Sequence, residues 1–219
     1  TDTLVEGIDF DFSWATWGDV GAKAAAVNLS DMAAMGAKPM HLVLTLGCRR
    51  NDRVVDILKL VQSAVHVCET HGARIVGGDI TSTKGPLFVT LAATGDVDTR
   101  YAPLRRYCGV PSDVIMVSGN LGDAAAGLLC LQHGIAKHQS LVRRQLRPTP
   151  RVALGRVLAR SGQVTSCTDL SDGLASDLAH VIAPGCGAEI DVQCIPLARG
   201  VRSVAKRFDR VPLELALAG

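Results

Sequence analysis

The chain has 219 residues, of which 47% are hydrophobic, 20% charged and only 4% aromatic. This length fits one large domain or two modest ones and is enough to bury a real core. The formal net charge of +2 lacks the basic excess that nucleic-acid or anionic-membrane binding requires. The apolar content excludes a disordered chain, and we find neither a transmembrane run nor a signal-peptide pattern.

The seven cysteines predict reduced thiols rather than disulfides or a zinc site. None of them forms a C-x-x-C pair, and their number is odd. A structural zinc site requires close pairs, and a secreted disulfide scaffold requires a denser pattern. We therefore expect a cytoplasmic protein with mostly buried, reduced cysteines.

The first hundred residues predict the element order β-α-β-α-β-β. Apolar and acidic residues alternate over 4–12, which predicts a half-exposed strand. The Ala-rich stretch 22–35 predicts a helix with Asp19 as its N-cap, and apolar spacing from Val54 to Cys68 predicts a second helix. Further strands are predicted at 41–46, 74–76 and 87–94. This order is typical of an α+β domain built around a mixed sheet.

Charged and turn residues dominate 96–111, and we place a domain boundary there. The two predicted domains are an N-terminal α+β domain, 1–103, and a C-terminal α/β domain, 111–219. Strands are expected in the second domain at 114–118, 165–168 and 188–192. Helices are expected at 123–133, in a segment that ends near Arg160, at 171–182 and at 201–208.

An Asp beside small or hydroxyl residues recurs at the predicted element boundaries. The five are Asp2, Asp31, Asp79, Asp169 and Asp172. An Asp that follows Gly-Gly, as Asp79 does, lets a ligand approach backbone amides and a carboxylate together. Asp31 lies among Ala, Val and Leu, a costly position for a charge unless a cleft faces it. Taken singly, each acid also fits an ordinary turn, a helix first turn or a solvent-facing position.

If these acids converge, divalent cations must hold them together. Two carboxylates about 4 Å apart repel by roughly 4 kcal/mol at an effective dielectric constant of about 20. Carboxylate oxygens without His or Cys pairs favour Mg²⁺, Mn²⁺ or Ca²⁺ over zinc. Several Mg²⁺ ions in one cleft indicate a bound polyphosphate, although no Walker, Rossmann or nucleophile-elbow motif is present. Arg105 and Arg106 are either a phosphate clamp or a solvated linker pair.

Five motifs occur in one order along the chain: T-D-T-L-V-E-G, A-V-N-L-S-D-M-A-A-M-G-A-x-P, V-G-G-D, V-S-G-x-L-G and D-L-S-D-G-L. Together they resemble the thiamine-monophosphate kinase family of the aminoimidazole ribonucleotide synthetase superfamily. The resemblance implies an enzyme that transfers the γ-phosphoryl group of ATP directly to thiamine monophosphate, with several Mg²⁺ ions. It also implies a cytoplasmic homodimer, in which the N-terminal sheet pairs with its copy in a second subunit. Neither nucleic acid nor a membrane is expected as a partner.

The resemblance also implies a set of site residues. The implied magnesium ligands are Thr1, Asp2, Asp31, Asp79, Asp169 and Asp172. The implied ATP contacts are Gly78, Asp79, Arg106 and Ser171. Asp9 stands where the family commonly has a substrate-contacting His, and no side chain is expected to act as a catalytic nucleophile.

Two pieces of the family pattern are missing, a Gly- and Asp-rich segment before Thr1 and a G-E-D-Y-E-L motif after 219. We therefore expect a truncated or partly ordered version of a longer enzyme, with an incomplete C-terminal domain. Two alternatives stay open. One is a sister ATP-dependent enzyme, an aminoimidazole ribonucleotide or selenophosphate synthetase, and the other is a non-catalytic nucleotide-binding relative.

Overall fold

The computed structural model describes residues 1–218, which divide into two compact units. The first unit comprises Thr1–Pro103 and Leu146–Arg160, and the second comprises Leu104–Gln145 and the chain from Ser161 onward. The predicted two-domain α+β class is confirmed. Among residues 1–218, no helix combines the length and the apolar character needed to cross a bilayer.

The first unit contains the predicted β-α-β-α-β-β order, which is confirmed. Its elements are β1 (Asp2–Val5), α1 (Trp17–Ala34), β2 (Lys38–Cys48), α2 (Val54–Thr70), β3 (Arg74–Ser82) and β4 (Phe88–Asp96). The four strands form one sheet in the order β1-β4-β2-β3. The β2–β3 pair is parallel, and the other two pairs are antiparallel. The prediction of a strand over 4–12 is wrong for most of that range, because β1 begins at Asp2 and ends at Val5, after which the chain turns.

One face of this sheet carries the hydrophobic core of the first unit. Leu42, Leu46 and Leu91 on the strands are at most 1% exposed, and they cluster with Leu29 of α1 and Leu60 of α2. Both helices are therefore fixed to the sheet by apolar packing, which is the main driving force for folding. The opposite face is more open, and Thr3 and Thr90 lie side by side on it with their hydroxyl oxygens 2.8 Å apart.

A capping box starts α1. The Thr16 hydroxyl accepts a hydrogen bond from the Asp19 amide at 3.2 Å, and the Asp19 carboxylate accepts one from the Thr16 amide at 3.1 Å. The prediction of Asp19 as the N-cap is therefore wrong by three positions. Asp19 is the third helical residue, where its carboxylate satisfies the amide of the true N-cap. The guanidinium of Arg147 also pairs with Asp19, at 2.6 Å.

The second unit is helical. Its helices are α3 (Asp123–Gln132), α4 (Gln139–Leu146), α6 (Leu174–Leu178), a 3-10 helix (Val192–Cys194), α7 (Arg199–Arg207) and α8 (Glu214–Leu217). Only the last residue of α4 lies in the first unit, which also holds α5 (Val152–Ser161) except for its final residue. One core cluster joins Ala126, Cys130 and Leu141 to Val201 and Val204.

The strands predicted at 114–118, 165–168 and 188–192 are absent from the described part of the second unit. A strand requires a hydrogen-bonded neighbour, and this unit offers only isolated pairings, Gly109 with Ile182 and Leu121 with Leu197. Val114 and Met116 are consequently more than 80% exposed. The predicted helix over 171–182 is shortened to α6, because a tight loop precedes it. The helix α4 was not predicted.

Candidate functional site

The residues implied as ligands fall into both units. Thr1, Asp2, Asp9, Asp31, Gly78 and Asp79 belong to the first unit, and Arg106, Asp169, Ser171 and Asp172 belong to the second. Among residues 1–218, no group of three or more His, Cys, Asp or Glu side chains is arranged to hold a metal ion.

Thr1 and Asp2 lie at the beginning of β1, on one edge of the sheet. The Thr1 hydroxyl donates a hydrogen bond to the carbonyl oxygen of Leu91 at 2.9 Å. Asp2 is paired with the same Leu91 across the β1–β4 ladder. Directly opposed residues on neighbouring strands share a face, so half-buried Asp2 belongs to the row of Leu91 and Leu44, on the face that the helices cover.

Gly78 and Asp79 lie in β3, on the other edge of the same sheet. Asp79 is paired with Thr45 of β2, which is paired with Thr90 of β4, which is paired with Thr3 of β1. Asp79 is exposed at the end of this row, on the more open face. Two strands separate β1 from β3, which places these edges about 14 Å apart at the usual strand spacing. The sheet therefore does not bring Asp2 and Asp79 of one chain together.

Asp31 occupies the last part of α1, where it is half-buried. Three residues earlier in the same N-L-S-D motif, Asn28 is 1% exposed. Its side-chain nitrogen donates to the carbonyl oxygen of Ala24 at 2.9 Å, whereas its side-chain oxygen has no hydrogen-bond partner among the described residues. A buried amide oxygen without a hydrogen-bond partner costs free energy. Asn28 was not among the predicted site residues, although a polar Asn within an apolar helical stretch could have indicated it.

Asp9 stabilises the turn that follows β1. Its carboxylate accepts a hydrogen bond from the Val5 amide at 2.7 Å, and its carbonyl oxygen accepts one from the Lys23 ammonium at 3.0 Å. Burial lowers the pKa of Lys23, while the Asp9 charge acts in the opposite direction. The carboxylate that was predicted to contact substrate thus has a structural partner, and Lys23, which the sequence analysis missed, lies next to it.

Arg106 lies beside the D-L-S-D-G-L loop in the second unit. Its guanidinium is 3.7 Å from the Asp169 carboxylate. The segment that carries it is held by its neighbour Arg105, whose carbonyl oxygen accepts from the Cys167 amide at 2.9 Å and from the Ser166 hydroxyl at 3.0 Å. A cationic fork next to an acidic loop is a suitable arrangement for binding a phosphate and its counter-ion together.

The loop itself is organised by a residue that the sequence analysis missed. The carboxylate of Asp177 accepts hydrogen bonds from the amides of Ser171 and Asp172, at 2.8 and 3.0 Å. Ser171 and Asp172 are exposed and Asp169 is half-buried, so a ligand has access to this loop.

The donor chemistry of both units fits magnesium. The implied ligands present only carboxylate and hydroxyl oxygens, which are the donors that hard divalent cations prefer. The residues therefore fit the group, and this fit applies to each unit separately.

The comparisons with known proteins match both halves of the chain. Residues 1–97 match the family described as AIR synthase related protein, N-terminal domain, and residues 110–217 match the corresponding C-terminal domain. The thiamine-monophosphate kinase of Haemophilus influenzae is 38% identical over 225 aligned positions, which cover 100% of this chain and 66% of that protein. The chain spans between 60% and 66% of the length of this and the other curated relatives that are most similar.

Solved structures agree with this result. The thiamine-monophosphate kinase of Stenotrophomonas maltophilia is 36% identical, with a TM-score of 0.89 over 100% of this chain and 69% of that chain. The thiamine monophosphate kinase of Aquifex aeolicus is 27% identical, with a TM-score of 0.91 over 100% of this chain and 74% of that one. A further structure of the latter enzyme, of which this chain covers 70%, is described as a complex with AMPPCP and TMP.

Proposed function

The chain belongs to the thiamine-monophosphate kinase family of AIR synthase related proteins, and we propose that it acts in the ATP-dependent phosphorylation of thiamine monophosphate. The products are thiamine diphosphate and ADP, and the reaction takes place in the cytoplasm. The observation that carries this proposal is the placement of Arg106 against Asp169 of the D-L-S-D-G-L loop. The A. aeolicus structure described with AMPPCP and TMP supports the same pair of ligands.

The proposed reaction is a direct in-line transfer, in which the phosphate of thiamine monophosphate attacks the γ-phosphorus of ATP. No side-chain nucleophile is needed, so the protein acts by alignment and by charge neutralisation. When bound, Mg²⁺ supplies positive charge to the transferring phosphoryl group. The proposed magnesium ligands are Thr1, Asp2, Asp31, Asp79, Asp169 and Asp172.

The remaining roles concern the two substrates. Gly78, Asp79, Arg106 and Ser171 are the proposed ATP contacts, and among them Arg106 presents the fork of donors that suits a phosphate. Asp9 remains the proposed contact for the cationic thiazolium ring. Because its carboxylate accepts a hydrogen bond from the Val5 amide, this role would require the turn after β1 to stay intact when substrate binds.

We also propose that the active unit is a homodimer built through the N-terminal sheet. Asp2 and Asp79 lie on opposite edges of that sheet, so one chain cannot direct both carboxylates at the same ion. If β3 of one subunit lies next to β1 of its partner, Asp2 and Asp79 come onto neighbouring strands, with Asp2 on the helix-covered face and Asp79 on the more open face. The exposed edge of β3 offers the unpaired backbone groups that such pairing uses.

The first test is ADP release from ATP, Mg²⁺ and thiamine monophosphate, measured on the parent chain and on Asp31→Asn and Asp79→Asn. Both variants should lose turnover, because each removes a proposed metal ligand. Asp56→Asn, which removes a carboxylate paired with Lys59 on α2, is the matched control and should retain parental activity. Near-parental activity of Asp31→Asn or Asp79→Asn would refute the metal assignment, and a parent that acts on other phosphate acceptors would favour a sister enzyme.

Mixing two inactive variants tests the shared site. In a heterodimer of Asp2→Asn and Asp79→Asn, one of the two sites receives both native acids and the other receives neither. Random exchange makes half of the dimers heterodimers, so the mixture should recover about a quarter of parental activity if each active site needs Asp2 of one subunit and Asp79 of the other. No recovery, with exchange of subunits demonstrated separately, would refute the shared site.

A further inference from the structure

Asp177 is a buried charge that the proposed reaction does not yet use. It is 3% exposed, and in the described part of the chain no other charged residue is buried. It lies in α6, five residues after Asp172. Burying a carboxylate is costly unless hydrogen bonds compensate for the lost water. The position of this group therefore requires a reason.

The reason is the pair of backbone amides that Asp177 binds. Its Oδ2 accepts from the Ser171 amide at 2.8 Å and from the Asp172 amide at 3.0 Å. Both bonds run from a backbone amide to a carboxylate, and such charge-assisted bonds are stronger than bonds between neutral groups. Gly173 has a φ of +98°, a value that residues with a Cβ rarely adopt, and the chain uses it to turn from the loop into α6.

These contacts fix the loop on one side and leave its side chains exposed on the other. The backbone of Ser171 and Asp172 is held by Asp177, while both residues remain exposed to solvent. Asp169, at the other end of the D-L-S-D-G segment, is held by the Arg106 guanidinium. The segment is thus held at Asp169 and at the amides of Ser171 and Asp172. The proposed function assigns the side chains of these same three residues to magnesium and ATP.

We propose that Asp177 is the positioning residue of this segment, fixing Ser171 and Asp172 so that they bind Mg²⁺ and nucleotide in one prepared geometry. The proposal rests on the proposed function for the identity of the ligands. Asp177 does not touch the ligand. It acts through the two amides, as outer groups do when they orient the direct ligands of a metal.

Two substitutions separate its possible roles. Asp177→Ala removes both hydrogen bonds, whereas Asp177→Asn keeps the shape and one neutral acceptor oxygen. The affinity of the full chain for Mn²⁺ in the presence of ATP can be measured by water-proton relaxation. It should fall about 10- to 100-fold in Asp177→Ala and by less in Asp177→Asn. Hydrogen exchange of the Ser171 and Asp172 amides, measured by NMR, should become faster in both variants, and more so in Asp177→Ala than in Asp177→Asn.

Asp191→Asn is the matched control. Asp191 accepts a backbone hydrogen bond from the Gln193 amide at 2.9 Å in the same unit, but it does not contact the D-L-S-D-G segment. It should leave Mn²⁺ binding and exchange at Ser171 and Asp172 unchanged. If Asp177→Ala does not fold, Asp177→Asn alone decides the question.

Parental Mn²⁺ affinity in the folded Asp177 variants would overturn the proposal, and so would parental amide exchange at Ser171 and Asp172. Equal losses in Asp177→Asn and Asp191→Asn would reduce Asp177 to a general structural role and would also overturn it. The outcome is separable from the proposed function. A parent chain that binds Mn²⁺ and ATP but releases no ADP with thiamine monophosphate refutes the reaction, while the exchange and binding measurements still decide the role of Asp177.

Discussion

Gly77 and Gly78 are adjacent in β3, yet replacing each of them by Ala should have different consequences. A Cβ on Gly78 would lie 1.8 Å from the carbonyl oxygen of Leu44, on the neighbouring strand. A Cβ on Gly77 would have no atom within 4 Å. Neither glycine has a positive φ, so the two substitutions differ in the space around them and not in backbone strain.

The magnitude follows from that space. Ordinary van der Waals contact begins near 3.4 Å, so the new methyl group at 78 must move by about 1.6 Å. The obstructing atom belongs to β2, which β4 holds on its other side, so the edge strand β3 has to yield. Overpacking of this kind costs about 1–3 kcal/mol. Gly77→Ala should leave the free energy of unfolding unchanged or raise it by up to about 1 kcal/mol, because Ala lowers the conformational entropy of the unfolded chain.

Urea unfolding of the two variants measures this difference, and ADP release adds a functional readout. If ATP approaches the backbone at Gly78, the Gly77 methyl group lies next to the ligand and should raise the KM for ATP about 10-fold, or about 1.4 kcal/mol. The parent chain and Gly77→Ala should unfold at similar urea concentrations. Parental stability of Gly78→Ala would refute the steric reasoning, and a parental KM for Gly77→Ala would refute the approach of ATP to this strand.

Two further predictions concern the first unit. Gly21→Ala should destabilise the protein by about 1–3 kcal/mol, because a Cβ there would lie 2.0 Å from the carbonyl oxygen of Leu60 in α2. Gly18→Ala, whose Cβ meets nothing closer than 3.5 Å, should be neutral or stabilising by up to about 1 kcal/mol, and indistinguishable thermal melts of the two variants would contradict the close helix packing. Burial raises the pKa of the Cys68 thiol to about 11, so iodoacetamide at pH 8 should alkylate exposed Cys186 and leave Cys68 unmodified until urea is added. Mass spectrometry that finds both cysteines alkylated at the same rate in the native protein would refute this burial.

The sequence predicted most of the first unit because local patterns determine it. Apolar spacing from Val54 to Cys68 and the apolar runs of β2 and β4 are properties of neighbouring residues, and they predicted these elements correctly, whereas the alternation over 4–12 predicted a strand of which only 4–5 is formed. The start of α1 was missed by three residues, because Thr16 and Asp19 are both good capping residues and only their reciprocal hydrogen bonds show which one is the N-cap. In the second unit, the predicted strand at 114–118 failed because no neighbouring strand pairs with it.

The sequence by itself determined the two long helices of the first unit, the motifs and the chemistry of the acidic residues, since residue types and short spacings are sufficient for these. Only the tertiary structure decided where the acids lie relative to one another. The strand order β1-β4-β2-β3 places Asp2 and Asp79 on opposite edges, and no local pattern specifies strand order. The same holds for Asp177, which is buried and binds the amides of Ser171 and Asp172 across the turn at Gly173. Local chemistry can be read from a sequence, whereas the convergence of distant groups depends on how the elements pack.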